Sequence, residues 1–368
     1  MRRKYMYTIY ETRRAVFKSK LEVDIAFITS PANIFYYTGF LSNPHERFMA
    51  LVFNTKTNEE ILYVPALDLA AAEQVAHLHR IVPITDEQIP FEVVKDTIGN
   101  LGQTAGVEAK ALSLARYLEL IGALNVQVTD IQQLVNTQRL HKTRDEINQL
   151  KVAIHIIEQV MSEGIKKIHI GMTELELVAE LEYLMRKFGA DGQSFASIIL
   201  SGENAALPHG HPSMRKIEHG DFVLIDMGVV KDGYCSDITR TFIVGEATDK
   251  QREIYDTVLA STLAGIKAAK ANIPLKQVDL TARAVIENKG YGDYFNNRVG
   301  HGLGIEVHEE PSVHAANNDL ITTGMVFTIE PGIYIPNYGG VRIEDNIYIN
   351  EHGEAEVLTT FPRELQIL

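Results

Sequence analysis

The amino-acid sequence predicts an α/β domain followed by an α+β domain. Strand-like apolar runs alternate with helix-like runs from Val23 to Leu124, two long amphipathic helical patterns come next, and the last third carries apolar strands each interrupted by an acid. Strands alternating with helices form a sheet covered by helices, whereas segregated helices and strands form an α+β domain. At 368 residues the chain exceeds one ordinary core, since domains run to about 100–200 residues. The domains are placed at residues 1–138 and 139–368, with the boundary near Arg139.

Each element has a local reason. The basic opening stretch MRRKYMYTIYETRRAVFKSK reads as a solvated first helix, with no apolar signal-type segment after it. VDIAFITS is an apolar run closed by Pro31, and RFMALVFNTKTNEEILYVP reads as two strands about a polar turn. LDLAAAEQVAHL and Leu112 to Leu124 space their apolar residues by three and four, as helices do. This domain is expected to hold a mixed sheet. It has no GxGxxG or P-loop phosphate cradle. His45, His77 and His79 lack an acid at metal-ligand spacing and read as surface or packing residues. Beyond the boundary, Thr143 and Glu146 have capping-box spacing at the head of a helix running to Lys167. Thr173 and Glu176 repeat it for a helix that Gly189 ends.

Composition removes whole classes of function. A net charge of −13 argues against a nucleic-acid surface, which needs a basic face to displace counterions from phosphates. A single cysteine, Cys235, excludes an internal disulfide. No uninterrupted run approaches the ~18 apolar residues that span a bilayer, so no membrane partner is expected and the cytoplasm is the default location.

The chemistry concentrates in the second domain. Asp226 and Asp237 lie in FVLIDMGVVKDGYCSDITRTFIVG, on two predicted strands about a Lys-Asp-Gly turn. With an even-numbered loop, cross-strand partners differ by an odd number and faces alternate with period two, so this pair falls on one face. Two like charges there, the first inside the apolar run VLIDM, repel or raise each other's pKa unless a cation lies between them. A lone strand Asp is more often a turn or edge charge. Glu330 in FTIEPGIYI and Glu344 in VRIEDNIYI weigh against that reading. Their separation is even, so a bulge or an odd-numbered connection through Pro336 to Gly340 is needed to put them on one face.

His301 sits between Gly300 and Gly302, read as a turn that can aim an imidazole inward. Four carboxylates and one imidazole form an oxygen-dominated set that suits Mn²⁺, Co²⁺ or Zn²⁺ in a dinuclear site, with the ions about 3.5–4 Å apart. Cys235 reads as a strand or packing residue, because it lacks a base. His209 in LPHGHP and His308 in EVHEEP can donate to an oxyanion or shuttle protons. His211, His219 and His314 lack that context.

SGENAALPHGHP, GDFVLIDMGVVKDGYCSDITRTF, GHGLGIEVHEEP, FTIEPGIY and GGVRIED, in this order, resemble the pita-bread metallopeptidase family, in its proline-specific branch of Xaa-Pro dipeptidase (prolidase) and aminopeptidase P. SPANIFYYTGF resembles the start of the creatinase-type N-terminal domain, so the likeness spans nearly the whole chain. The resemblance implies a creatinase-like α/β domain before a pita-bread catalytic domain. It implies Asp226, Asp237, His301, Glu330 and Glu344 as ligands of two divalent metal ions, Mn²⁺ first and Co²⁺ or Zn²⁺ as alternatives, with Asp237 and Glu344 bridging. It makes His209 and His308 substrate contacts that stabilise the tetrahedral intermediate, Glu330 a proton shuttle, and Arg342 and Tyr334 supporting residues.

The activity it implies is hydrolysis of the Xaa-Pro bond in dipeptides, or in longer peptides by an aminopeptidase P, carried out by a homodimer. A silent pita-bread fold that binds peptides is the reading from a different class, and it predicts broken ligands. One departure stands out. Some prolidases place an arginine four residues after the histidine equivalent to His308, where it holds the dipeptide's carboxylate, but here the residue is Ser312. Without that bidentate clamp, a preference for dipeptides over longer peptides requires that another basic residue such as Arg47, or one from a second subunit, replace it.

Overall fold

The computed structural model describes residues 2–99 and 101–368; the side chains of residues 2–8, part of the basic opening stretch, lie outside the described residues. The chain divides into two compact units, Met1–Arg139 and Leu140–Leu368.

The first unit holds the expected mixed sheet, ordered Ile81–Ile84, Glu59–Pro65, Ala50–Asn54, Ile25–Ile28, Thr104–Val107, Gln127–Asp130. Ala50–Asn54 runs antiparallel to both of its neighbours, and the remaining pairs are parallel. The polar turn after Ala50–Asn54 closes because Asn54 Oδ1 accepts the N–H of Lys56 and Thr57 at 2.9 and 3.2 Å, a side-chain turn that competes with strand continuation. In SPANIFYYTGF, Pro31 starts a helix, Pro31–Thr38, and Gly39 ends it with φ 78°. The buried Glu108 secures that helix by accepting from Ser30 N–H at 2.8 Å and from the Asn33 side chain. Arg47 is engaged by Asp86 at 2.8 Å and Glu46 at 3.0 Å.

In the second unit both predicted capping boxes form, at the heads of helices Arg144–Gly164 and Glu174–Lys187. A second long-and-short pair, Asp249–Ala268 and Leu275–Asn288, follows, and sequence periodicity had not singled it out. Each pair covers its own apolar cluster against the strands: Ile157, Leu181, Ile225 and Phe242 in one, Val258, Ala282, Phe327 and Ile347 in the other.

The strands are shorter than predicted, and their interruptions matter. FTIEPGIYI splits into Val326–Ile329 and Gly332–Ile335, and GGVRIEDNIYI splits into Gly339–Arg342 and Asp345–Ile349. Each half pairs in a different sheet. Pro331 lacks an N–H and cannot continue a ladder. At the breaks the backbone finds other partners, Glu330 N–H donating to Val299 O at 2.7 Å and Glu344 N–H to Thr239 O at 3.1 Å.

Candidate metal centre

Asp226 is the penultimate residue of strand Phe222–Met227, which pairs antiparallel with Ile238–Ile243 so that Thr239 stands directly opposite Asp226. Asp237, two positions before Thr239, falls on the same face by strand alternation. The route between them departs from the single hairpin expected. Val229–Lys231 and Tyr234–Cys235 leave to pair in another small sheet, turning at Asp232-Gly233 with φ 49° and 81°. Two positive φ values are what a type I′ two-residue hairpin turn requires. At the break the backbones approach closely, which glycine permits: a Cβ on Gly228 would lie 2.0 Å from Ser236 O. Cys235 is buried in its strand, donating through Sγ to Ile305 O at 3.3 Å.

Glu330 and Glu344 come together through the odd-numbered connection. Ile335 pairs with Gly339 across three residues, Pro336 to Tyr338, and the same register continues from Gly332↔Arg342 to Ile329↔Asp345. Glu330 therefore lies across from Glu344 with no bulge between them. His301 occupies a strand, Gly300–Gly302, rather than a turn, and the bulge lies here instead, between His301 and Gly302. Its glycines serve close approach: a Cβ on Gly300 would meet Thr328 O at 1.9 Å, and one on Gly302 would meet Glu310 O at 2.2 Å.

All the residues singled out in the second domain as ligands or substrate contacts line one cavity of about 680 Å³. Ligand atoms of Asp237, His301 and Glu344 lie within 4.8 Å of one another, and His301 Nε2 is 3.6 Å from Asp237 Oδ2 and 3.4 Å from Glu330 Oε1. Asp226 is held by the Arg342 guanidinium, which also donates to Tyr334 Oη at 2.8 Å and Thr239 Oγ1 at 3.2 Å. His308 packs against His301 with ring centroids 3.9 Å apart and the rings tilted by 50°, and His209 and His308 stand on the exposed side of the cavity.

The donor set fits divalent cations on three counts. Asp226 Oδ1, Asp237 Oδ1 and Glu344 Oε1 are buried without a hydrogen-bond partner, a costly state for carboxylate oxygens. Gly302 O, 3.2 Å from His301 Nδ1, accepts its proton, which leaves the Nε2 lone pair aimed at two carboxylates. Burial, followed by His308, pushes the His301 pKa down to about 3, so protonation does not relieve that repulsion. Metal ligation relieves both problems.

Burial, then Glu344, Asp226 and Glu330, hold Asp237 well above the ordinary carboxylate range, and burial with Glu330 and Asp226 does the same to Glu344. Burial pushes Glu330 up to about 7 although Arg342 opposes it. A raised pKa means that the folded chain holds the proton more tightly than the unfolded one. The stability this contributes is complete below the ordinary values, 4.5 for the glutamates and 3.8 for Asp237, and it is lost as pH rises through about 7 for Glu330 and through the raised values of Asp237 and Glu344. Chelated protein will therefore lose thermal stability from about pH 5 to about pH 8, and the gap between metal-loaded and chelated melting temperatures will widen over that window. A chelated melting temperature that is flat or rising with pH would refute this.

Sequence reasoning missed two residues of the site. Thr239 donates to Glu344 Oε2 at 2.7 Å, and its signal was period two from Asp237. Arg298 lines the cavity and donates to Ser312 Oγ at 3.0 Å; it lies in an irregular segment that carries no periodicity.

Comparison with known proteins gives the family. Residues 148–351 match the description "Metallopeptidase family M24", and residues 15–141 match "Creatinase/Prolidase N-terminal domain". A protein of Bacillus subtilis named putative dipeptidase YkvY is 42% identical over 93% of this chain and 95% of its own length. The solved Xaa-Pro dipeptidase from Bacillus anthracis is similar at 36% identity and TM-score 0.91, covering 98% of this chain and 100% of that one. An X-Pro aminopeptidase from Thermotoga maritima is similar at 33% identity and TM-score 0.87, covering 96% and 99%. Among the described residues no helix is long and apolar enough to cross a membrane. With its paired carboxylates, its single inward imidazole and a creatinase-type domain before them, this chain belongs to metallopeptidase family M24.

Proposed function

We propose that this metallopeptidase hydrolyses the Xaa-Pro bond of dipeptides. The observation that carries the reading is the convergence of Asp226, Asp237, His301, Glu330 and Glu344 on one cavity with three orphaned carboxylate oxygens and two exposed histidines at its edge. Those five residues would hold two divalent cations, Mn²⁺ for preference and Co²⁺ or Zn²⁺ otherwise, which supply a Lewis acid for the scissile carbonyl and a more acidic attacking water.

The chain's own groups do the rest. Glu330 takes the proton from the water and returns it to the leaving proline nitrogen. His308 and His209 donate N–H bonds to the oxyanion that develops on the carbonyl. Arg342 fixes Asp226 and Tyr334 at the cavity wall. The reading extends, on kinship, to a cytoplasmic homodimer acting on Xaa-Pro dipeptides or short proline-containing peptides; light scattering at twice the chain mass checks the assembly.

Hydrolysis of an Xaa-Pro dipeptide beside an Xaa-Pro tripeptide, with metal supplied, tests the function. Cleavage of the dipeptide alone supports it. Preference for the tripeptide selects an aminopeptidase P, and metal binding with neither cleavage selects a silent peptide-binding module. His308→Ala will lower kcat by ~10²–10³-fold, as for a lost oxyanion donor, while metal content stays near wild type. A loss of metal in that variant would move His308 into the ligand set.

A further inference from the structure

We infer that Arg298, tethered by Ser312, is the specificity residue that receives the C-terminal carboxylate of the substrate; this rests on the dipeptidase reading. Ser312 pairs directly across the ladder from His301, so both side chains stand on the same face of the sheet. The Arg298 guanidinium bonds to Ser312 Oγ at 3.0 Å and lines the same cavity as the candidate metal ligands. A cation is thereby held one strand away from His301.

Its other donors remain available. A guanidinium carries five N–H groups in a fixed fork, and among the described residues Arg298 has no ion-pair partner although the chain's net charge is −13. The backbone beneath it is secured on both sides. Arg283 donates to Phe295 O and Asn297 O, each at 2.9 Å, and Asn297 Nδ2 donates to Arg298 O at 3.0 Å and to Glu330 O at 3.3 Å. The segment carrying Arg298 is thus tied to the segment carrying Glu330.

Substrate length supplies the remaining step. In a dipeptide the carboxylate belongs to the residue just past the scissile bond, where successive Cα atoms are ~3.8 Å apart. A clamp must then sit beside the catalytic residues, as Arg298 does. A longer peptide replaces that charge with a neutral amide, which offers the guanidinium no ion pair.

The test compares Leu-Pro with its C-terminal carboxamide on Mn²⁺-loaded protein, in wild type, Arg298→Met, Arg298→Lys and Ser312→Ala. Wild type is expected to favour the acid by about 10- to 100-fold in kcat/KM, the scale of a charge-assisted hydrogen bond. Arg298→Met will erase that preference, largely through KM, and cost the amide far less than the acid. Arg298→Lys will retain part of it, and Ser312→Ala will lose a few-fold on the acid alone. Equal losses on acid and amide, or a loss that instead follows an acidic Xaa side chain, overturn the assignment. Calorimetric titration with the same two compounds separates this assignment from the dipeptidase reading. If no cleavage occurs, carboxylate-dependent binding that disappears in Arg298→Met still upholds the clamp, whereas equal binding of acid and amide refutes it.

Discussion

Asp237→Ala and Glu344→Ala will each lose bound metal and turnover together. Each side chain has one buried oxygen without a partner, and both belong to the group with His301 whose ligand atoms lie within 4.8 Å of one another. Removing either takes a negative charge and an oxygen donor from the place where a cation replaces missing hydrogen bonds. Lewis-acid activation is worth several kcal/mol, so kcat/KM will fall by about 10³-fold or more. Metal analysis of dialysed protein, read beside activity, checks this. Full activity, or full metal content without activity, in either variant would remove that residue from the ligand set. Circular dichroism of the same samples distinguishes loss of the site from loss of the fold.

Arg240→Met will cost about 3–5 kcal/mol of stability, the range for breaking a buried ion pair by removing one partner. Arg240 is 1% exposed and Asp345 0% exposed, and they pair at 2.9 Å. The guanidinium donates further to the carbonyls of Thr239, Glu344, Phe361 and Pro362. Methionine fills the volume but leaves those carbonyls and Asp345 short of a donor. Because Glu344 O is among them, metal affinity will fall together with the urea midpoint. A loss below ~1 kcal/mol would show that solvent or Arg363, which also bonds Asp345, replaces the lost donors.

The sequence displayed the chemistry more fully than the path of the backbone. Acids inside apolar runs, Asp226 in VLIDM above all, are legible because burying a charge without a partner is expensive, so such a residue points to a cation or a functional site. The capping boxes at Thr143 and Thr173 were legible because their donors and acceptors lie within one turn of helix. The breaks in the strands were not. Glu330 and Glu344 leave the ladder because Val299 and Thr239 offer alternative carbonyls, and those residues are remote in the chain.

Local sequence therefore determined which side chains are candidates for the site, the face shared by Asp226 and Asp237, and the need for an odd connection between the two glutamates. All of these follow from strand alternation and the cost of a buried charge. Tertiary structure alone decided that Arg342 holds Asp226, that Thr239 holds Glu344, and that Arg298 stands against Ser312. Those pairings join residues across different sheets and loops, and no periodicity along the chain encodes which distant partner a side chain will meet.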